Sequence, residues 1–248
     1  PVVLRPNRVP CGPLSTFDLE NIQVLKGPQG TLFGRNTTGG AILLVPTKPK
    51  DRLEGYVEGS VGNYDLRRVQ AVFNTPLSDT FRIRAGVDWN KRDGYVKNKS
   101  GIGPDDFNDT DYVALRLSIV GDLTPDLDNY FIARYSNSET NGNVNALRTC
   151  TRPDGTGPDP ATTYVAFLLN SAGCAQVDRQ LARGDGFWDV ENDEPDPFHN
   201  IEQWQVINTT TWQASDDLTI KNIISYAEYR EQVSFSLFGT NYLTAAGT

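Results

Sequence analysis

Methionine is absent from all 248 residues, the chain begins at Pro1, and histidine occurs once, as His199. No charged-then-apolar leader stands at the start. These absences lead to the expectation of a mature secreted chain or a piece of a longer one. Long apolar runs are also missing. The longest, "AILLV" at 41–45 and "YVAFLL" at 164–169, fall far short of a membrane-crossing helix, which needs about 20 residues. A barrel stays open, because its strands cross with only about 9–11 weakly alternating residues. Positive charge is in deficit, 23 Lys and Arg against 31 Asp and Glu, for a net charge of -8. That argues against a nucleic-acid partner. Finally, a single histidine in a polar stretch, with no Ser/His/Asp or Cys/His grouping, offers no catalytic constellation. No enzyme and no cofactor are expected, and His199 reads as a solvated loop residue.

Cysteine is scarce as well. Cys150 and Cys174 bracket "CTRPDGTGPDPATTYVAFLLNSAGC", which reads as a disulfide closing a loop in an oxidising compartment, with two unrelated thiols as the alternative. Cys11 has no assigned role. The acidic stretches "DDFNDTD" at 105–111 and "GDGFWDVENDEPDPFHN" at 184–200 supply clustered oxygens. Neither has the glycine and terminal glutamate of a calcium loop, so they read as solvated carboxylates and no metal site is expected. In the second stretch, Phe187 and Trp188 are candidates for ligand contact, since recognition sits on long loops over a rigid scaffold.

What is present is alternation. "TFRIRAGVDWN" at 80–90 places Phe81, Ile83, Ala85, Val87 and Trp89 on one face and Arg82, Arg84, Gly86, Asp88 and Asn90 on the other. "YVALRLSIV" at 112–120 sets Val113, Leu115, Leu117 and Ile119 opposite Ala114, Arg116 and Ser118. Rougher runs occupy 54–62, 66–74, 128–138, 201–213 and 217–230, about seven antiparallel strands in all. In 201–213, Asn208 falls on the face of Trp204, Val206 and Trp212. Tight turns at 74–80, 121–129 and 213–219 alternate with longer connections at 93–111 and 139–200. Short turns at one end and long loops at the other mark an outer-membrane barrel. The charged face, with Glu58, Arg82, Arg84, Asp88, Arg116 and Lys221, would line the lumen, and the apolar face would meet outer-membrane lipid. Trp89, Tyr112, Tyr130, Trp204 and Trp212 lie near strand ends, where an aromatic girdle would sit; core aromatics would look the same.

Upstream of the strands lies "NIQVLKGPQGTLFGRNTTGGAILLVPTK" at 21–48. Its glycines suggest a phosphate cradle, but Gly40 stands where a P-loop needs lysine, and no helix follows. The glycines read instead as turn residues between short strands, "IQVL" and "AILLV", with Arg35 able to brace the loop against carboxylates on a surrounding wall.

On those residues, "FDLENIQVLKGPQGTLFGRNTTGGAILLVPTKP" at 17–49 closely resembles the end of the plug domain of TonB-dependent outer-membrane receptors. The stretch "LEGYVEGSVGNYDLRRVQAVFNTPL" at 53–77 is similar to the first hairpin of their barrel. The resemblance implies a mainly β fold, with residues 1–50 as the C-terminal part of a plug and 51–248 as the first strands of a barrel of about 22. It implies energised uptake of a scarce nutrient, such as an iron–siderophore, cobalamin or a saccharide. It also implies a TonB-type inner-membrane partner acting through a segment not in this sequence. Gly27, Pro28, Gly30, Gly34, Arg35, Gly39 and Gly40 would form a mechanical plug motif. Lys26 and Pro46 depart from the usual pattern. The alternative is a surface β-rich adhesion protein without transport.

Overall fold

The computed structural model describes residues 2–4, 17–33, 38–150 and 164–241. A small sheet comes first. Strands β1 (Val2–Leu4), β2 (Leu19–Lys26) and β3 (Gly40–Pro46) lie in the order β1-β3-β2, with the short helix α1 (Gly30–Phe33) between β2 and β3. β2 and β3 are antiparallel, with Ile22 opposite Leu44 and Val24 opposite Ile42. Ala41, Leu43 and Leu44 are buried, which is why "AILLV" is a near-continuous apolar run. The hairpin enters β3 through Gly40, whose φ of +127° and whose Leu25 carbonyl oxygen, 2.2 Å from where a Cβ would stand, admit no side chain. The glycine stretch is thus a turn at Gly27, one helical turn opening at Gly30, and a second turn at Gly40. Gly34 and Arg35, like Cys11, lie outside the described residues.

The second sheet is large and open. Its seven antiparallel strands are β4 (Glu54–Gly62), β5 (Leu66–Pro76), β6 (Phe81–Arg92), β9 (Thr110–Thr124), β10 (Leu127–Thr140), β12 (Phe198–Ser215) and β13 (Leu218–Ser234). Each pairs with its sequence neighbours, the order a meander with tight turns dictates. Strand period two sorts the residues without exception in the central rows. Val57, Ala71, Val87, Leu115, Tyr135 and Trp204 are cross-strand neighbours on one face. Tyr56, Val72, Gly86, Arg116, Arg134 and Gln205 form the neighbouring row on the other. The apolar face is exposed, with Val57, Phe73, Leu115, Trp212 and Ile224 open to the surroundings, whereas Asn74, Arg84, Asp88, Arg116 and Ser118 are buried. An inside-out distribution of this kind belongs to a wall with lipid outside and a filled lumen inside. Asn208 does fall on the outer face. There it exchanges two side-chain amide bonds of 3.0 Å with Asn129, so that neither polar group is stranded.

Three expectations are corrected. Tyr112 and Tyr130 share the lumenal parity of Asp88 and Arg84, so they belong to no girdle; Trp89, Trp204 and Trp212 are the outward ones. His199 lies inside β12, not in a loop, with its Nε2 2.7 Å from a Glu231 carboxylate oxygen on β13. The 139–200 connection contains a 20-residue helix, α2 (Tyr164–Arg183). The long connections also add a third sheet above the wall, in which β7 (Val96–Asn98) lies between β8 (Asp106–Phe107) and β11 (Asp189–Val190). Its core is Val96, Phe107 and Val190.

Candidate functional site

Two places in the molecule concentrate chemistry. The first lies where the small sheet meets the lumenal wall. Phe17 and Asp18, just before β2, reach the rows that carry Arg84 on β6 and Arg116 on β9. The Phe17 ring packs on Val72 and Ala114. It takes the space that Gly86 leaves, since a Cβ on Gly86 would stand 2.6 Å from its Cε2. The Arg116 guanidinium lies 4.9 Å from the centre of that ring, and donates to the Phe17 carbonyl at 3.1 Å and the Asp18 carbonyl at 2.8 Å. The same guanidinium bonds the Asp18 carboxylate. From the other side Arg84 Nε donates to that carboxylate at 2.9 Å, while its Nη1 reaches Glu54 at 3.0 Å. All three side chains of this clasp are at least nine-tenths buried. One carboxylate thus bonds two guanidiniums, with Glu54 supplying the second negative charge at Arg84, in a low-dielectric setting where charge-assisted bonds are strongest. Asp18 adopts a left-handed φ of 53° to do so.

The connection from small sheet to wall is pinned nearby. Asn74, fully buried on β5, donates to the carbonyls of Lys50 at 2.9 Å and Arg52 at 2.7 Å. It also accepts from the Lys50 amide at 2.9 Å. Lys48 lies over the Tyr130 ring at 5.2 Å.

The second place is the outer end. Phe187 and Trp188 are both exposed and meet edge to face with centroids 4.7 Å apart. Trp188 contacts Tyr95 at 5.1 Å, and Tyr95 contacts Tyr64 at 6.3 Å, so four rings form one continuous platform. Two cations flank it, Arg148 over Phe187 at 5.6 Å and Arg92 over Tyr95 at 5.2 Å. Cys150 and Cys174 are joined by a disulfide. The carboxylates of the acidic stretches are mostly engaged, contrary to the expectation of solvated groups. Glu191 is buried and held by Arg179 at 2.9 Å and Arg183 at 2.7 Å. Asp111 pairs with Lys91 at 2.7 Å, and Asp106 with Lys97 at 3.3 Å. Arg183, bonded to Asp185, holds that carboxyl below its ordinary range, whereas burial pushes the Asp109 carboxyl up. Among the described residues no three His, Cys, Asp or Glu side chains come together as a metal would need.

The expected site residues are therefore spread over both places. Gly27, Pro28, Gly30, Gly39 and Gly40 shape the small sheet's turns, and Phe187 and Trp188 lie on the outer platform. Sequence reasoning missed Asp18, although Arg84 and Arg116 were visible as lumenal cations in need of an acid.

No family model matches the chain. Its sequence is 37% identical over 62 residues to the pesticin receptor of Yersinia enterocolitica, which covers 25% of this chain and 9% of that protein. It is 30% identical over 94 residues to the catecholate siderophore receptor Fiu of Escherichia coli, covering 36% and 12%. The chain thus aligns with about a tenth of the length of these relatives. Its structure superposes on Fiu with a TM-score of 0.68 at 18% identity, across 91% of this chain and 31% of that one. On the ferric yersiniabactin uptake receptor FyuA of Yersinia pestis the values are 0.62, 19%, 88% and 30%. The fold is mainly β and matches these receptor structures over about nine-tenths of the chain, with the seven-stranded wall not closed into a barrel. Both comparisons lead to receptors of the kind that the 17–49 segment resembles.

Proposed function

We propose that this chain is the plug end and the first barrel strands of a TonB-dependent outer-membrane receptor that imports a siderophore or a related metal chelate. Residues 1–50 serve as the end of the plug and 51–248 as wall and outer loops. The observation that carries the reading is the clasp of Asp18 between Arg84 and Arg116, which seats the small sheet against the lumenal wall by a bond that must be broken for passage. A buried ion pair is costly to form and costly to strand, which suits a closure that opens only under applied work. Phe187 and Trp188 meet the ligand outside, and an inner-membrane coupling complex supplies the pull. The residues Gly27, Pro28, Gly30, Gly34, Arg35, Gly39 and Gly40 act as the mechanical motif, with Arg35 bracing the loop.

Relatives and neighbours named for siderophores and metal chelates support this ligand class. The test uses the full-length receptor in outer membranes that lack other receptors, with labelled iron chelates, cobalamin and oligosaccharides as the panel. Uptake of at least one is expected, and a protonophore is expected to abolish it. Arg35→Ala is expected to lower that uptake while leaving membrane insertion intact. If no member of the panel enters in an energy-dependent way, the transport reading fails; unchanged uptake in Arg35→Ala removes only the bracing role.

A further inference from the structure

We infer that the Cys150–Cys174 disulfide and Arg148 position the Phe187–Trp188 ring pair, and that α2 couples this pair to segment 235–241 so that two outer loops act as one body. The inference rests on reading the ring pair as the ligand contact, and it adds what holds that contact in place. Arg148 lies two residues before Cys150. Its guanidinium donates to the Gly186 carbonyl at 3.3 Å and to the Phe187 carbonyl, while covering the Phe187 ring. One cation therefore fixes both the backbone and the side chain of the platform's tip, and the disulfide fixes where that cation stands.

From Cys174 onward, α2 makes two further connections. Gln176, fully buried, donates to the Gly239 carbonyl at 2.7 Å and accepts from the Asn241 amide at 3.1 Å. About one and two turns later, Arg179 and Arg183 grip the buried Glu191 beside β11, and Arg183 also grips Asp185. Asn145 Nδ2 donates to the Leu237 carbonyl at 2.7 Å, and Thr240 Oγ1 to Asp193 at 2.9 Å, so the stretches flanking α2 hold the same segment. A helix bonded at its covalent staple, at a neighbouring loop and at the platform's own strand transmits displacement between them, because packed helices shift as units rather than bend.

Amide hydrogen exchange on the full-length receptor, without ligand, tests this. Exchange at 184–191 is expected to rise at least tenfold in a Cys150→Ser/Cys174→Ser variant and in Arg148→Gln with the disulfide intact. Arg148→Lys, which keeps the cation and a donor, should restore part of the protection. The coupling predicts more: Gln176→Ala should raise exchange at 184–191 severalfold, although among the described residues the Gln176 side chain bonds Gly239 and Asn241 and nothing in 184–191. Peptides from β5, β6 and β9 should be unchanged in every variant, which separates a positioning role from general loss of structure. Exchange at 184–191 within twofold of the parent in Arg148→Gln overturns the positioning role, and the same result in Gln176→Ala overturns the coupling. Replacing Phe187 and Trp188 by alanine tests the ligand reading separately. If nutrient capture survives it, that reading fails whatever the exchange shows.

Discussion

Asp18→Asn isolates the clasp between the small sheet and the wall. The substitution keeps the side chain's shape and one acceptor oxygen, and asparagine accepts the left-handed φ of 53° at this position as readily as aspartate does. The charge is lost, together with one of the two oxygens that accept from the guanidiniums. Stranding one partner of a buried ion pair costs about 3–5 kcal/mol. Here Arg84 retains Glu54 at 3.0 Å, so the stranded cation is Arg116, and the low end, about 3 kcal/mol, applies. At 1.4 kcal/mol per decade that is roughly a hundredfold change in an equilibrium constant. Hydrogen exchange of residues 17–26 and 40–46 in the full-length receptor should therefore accelerate by about two decades, with exchange in β9 and β10 unaltered. Combining Asp18→Asn with Arg116→Gln should return part of the protection, because the cation stranded by the first change is then removed. Acceleration of less than threefold in Asp18→Asn would refute the argument, since the clasp would then contribute no more than a surface pair.

Two further outcomes follow from the same geometry. Gly86→Ala puts a methyl 2.6 Å from the Phe17 ring and should loosen the 17–26 segment by about 1–3 kcal/mol; Phe17→Leu in the same chain should recover part of the loss, read by the same exchange measurement. At the outer end, Arg183 holds the Asp185 carboxyl below its ordinary pKa of 3.8. The stability this supplies is complete above that value and is lost as pH falls through the lower folded one. Proteolysis within 184–197 by an acid-active protease should thus quicken below about pH 4 beyond what the protease's own profile explains, and Arg183→Gln should flatten the dependence.

Much of the wall was legible because a strand with lipid on one side and a polar lumen on the other must alternate. Phe81 to Asn90 and Tyr112 to Val120 announce their faces residue by residue. Parity is also where reading by position along a strand failed: Tyr112 and Tyr130 are near strand ends, but one step of register turns an interface aromatic into a lumenal one. The clasp was not legible, since Asp18 lies 66 residues from Arg84 and 98 from Arg116, and nothing local marks it. α2 escaped because it sits in a stretch rich in proline, glycine and acids, where one apolar run, "YVAFLL", was its main signal. The acidic residues of 184–200 were legible as a cluster, but their partners, Arg179 and Arg183, come from that unrecognised helix.

The three bonds that Asn74 makes to Lys50 and Arg52 set a radius of travel. Strand β3 ends at Pro46, and the first tethered residue is Lys50. A fully drawn span of about four residues reaches roughly 13 Å. On the proposed transport reading, while Asn74 holds, the small sheet can swing aside within that leash but cannot depart from the wall. Opening by a swing leaves a gap beside the wall strands that face the clasp. Opening by departure requires Asn74 to let go first, so on that reading the size of the passage is decided at a buried amide that touches neither the outer ring platform nor the clasp.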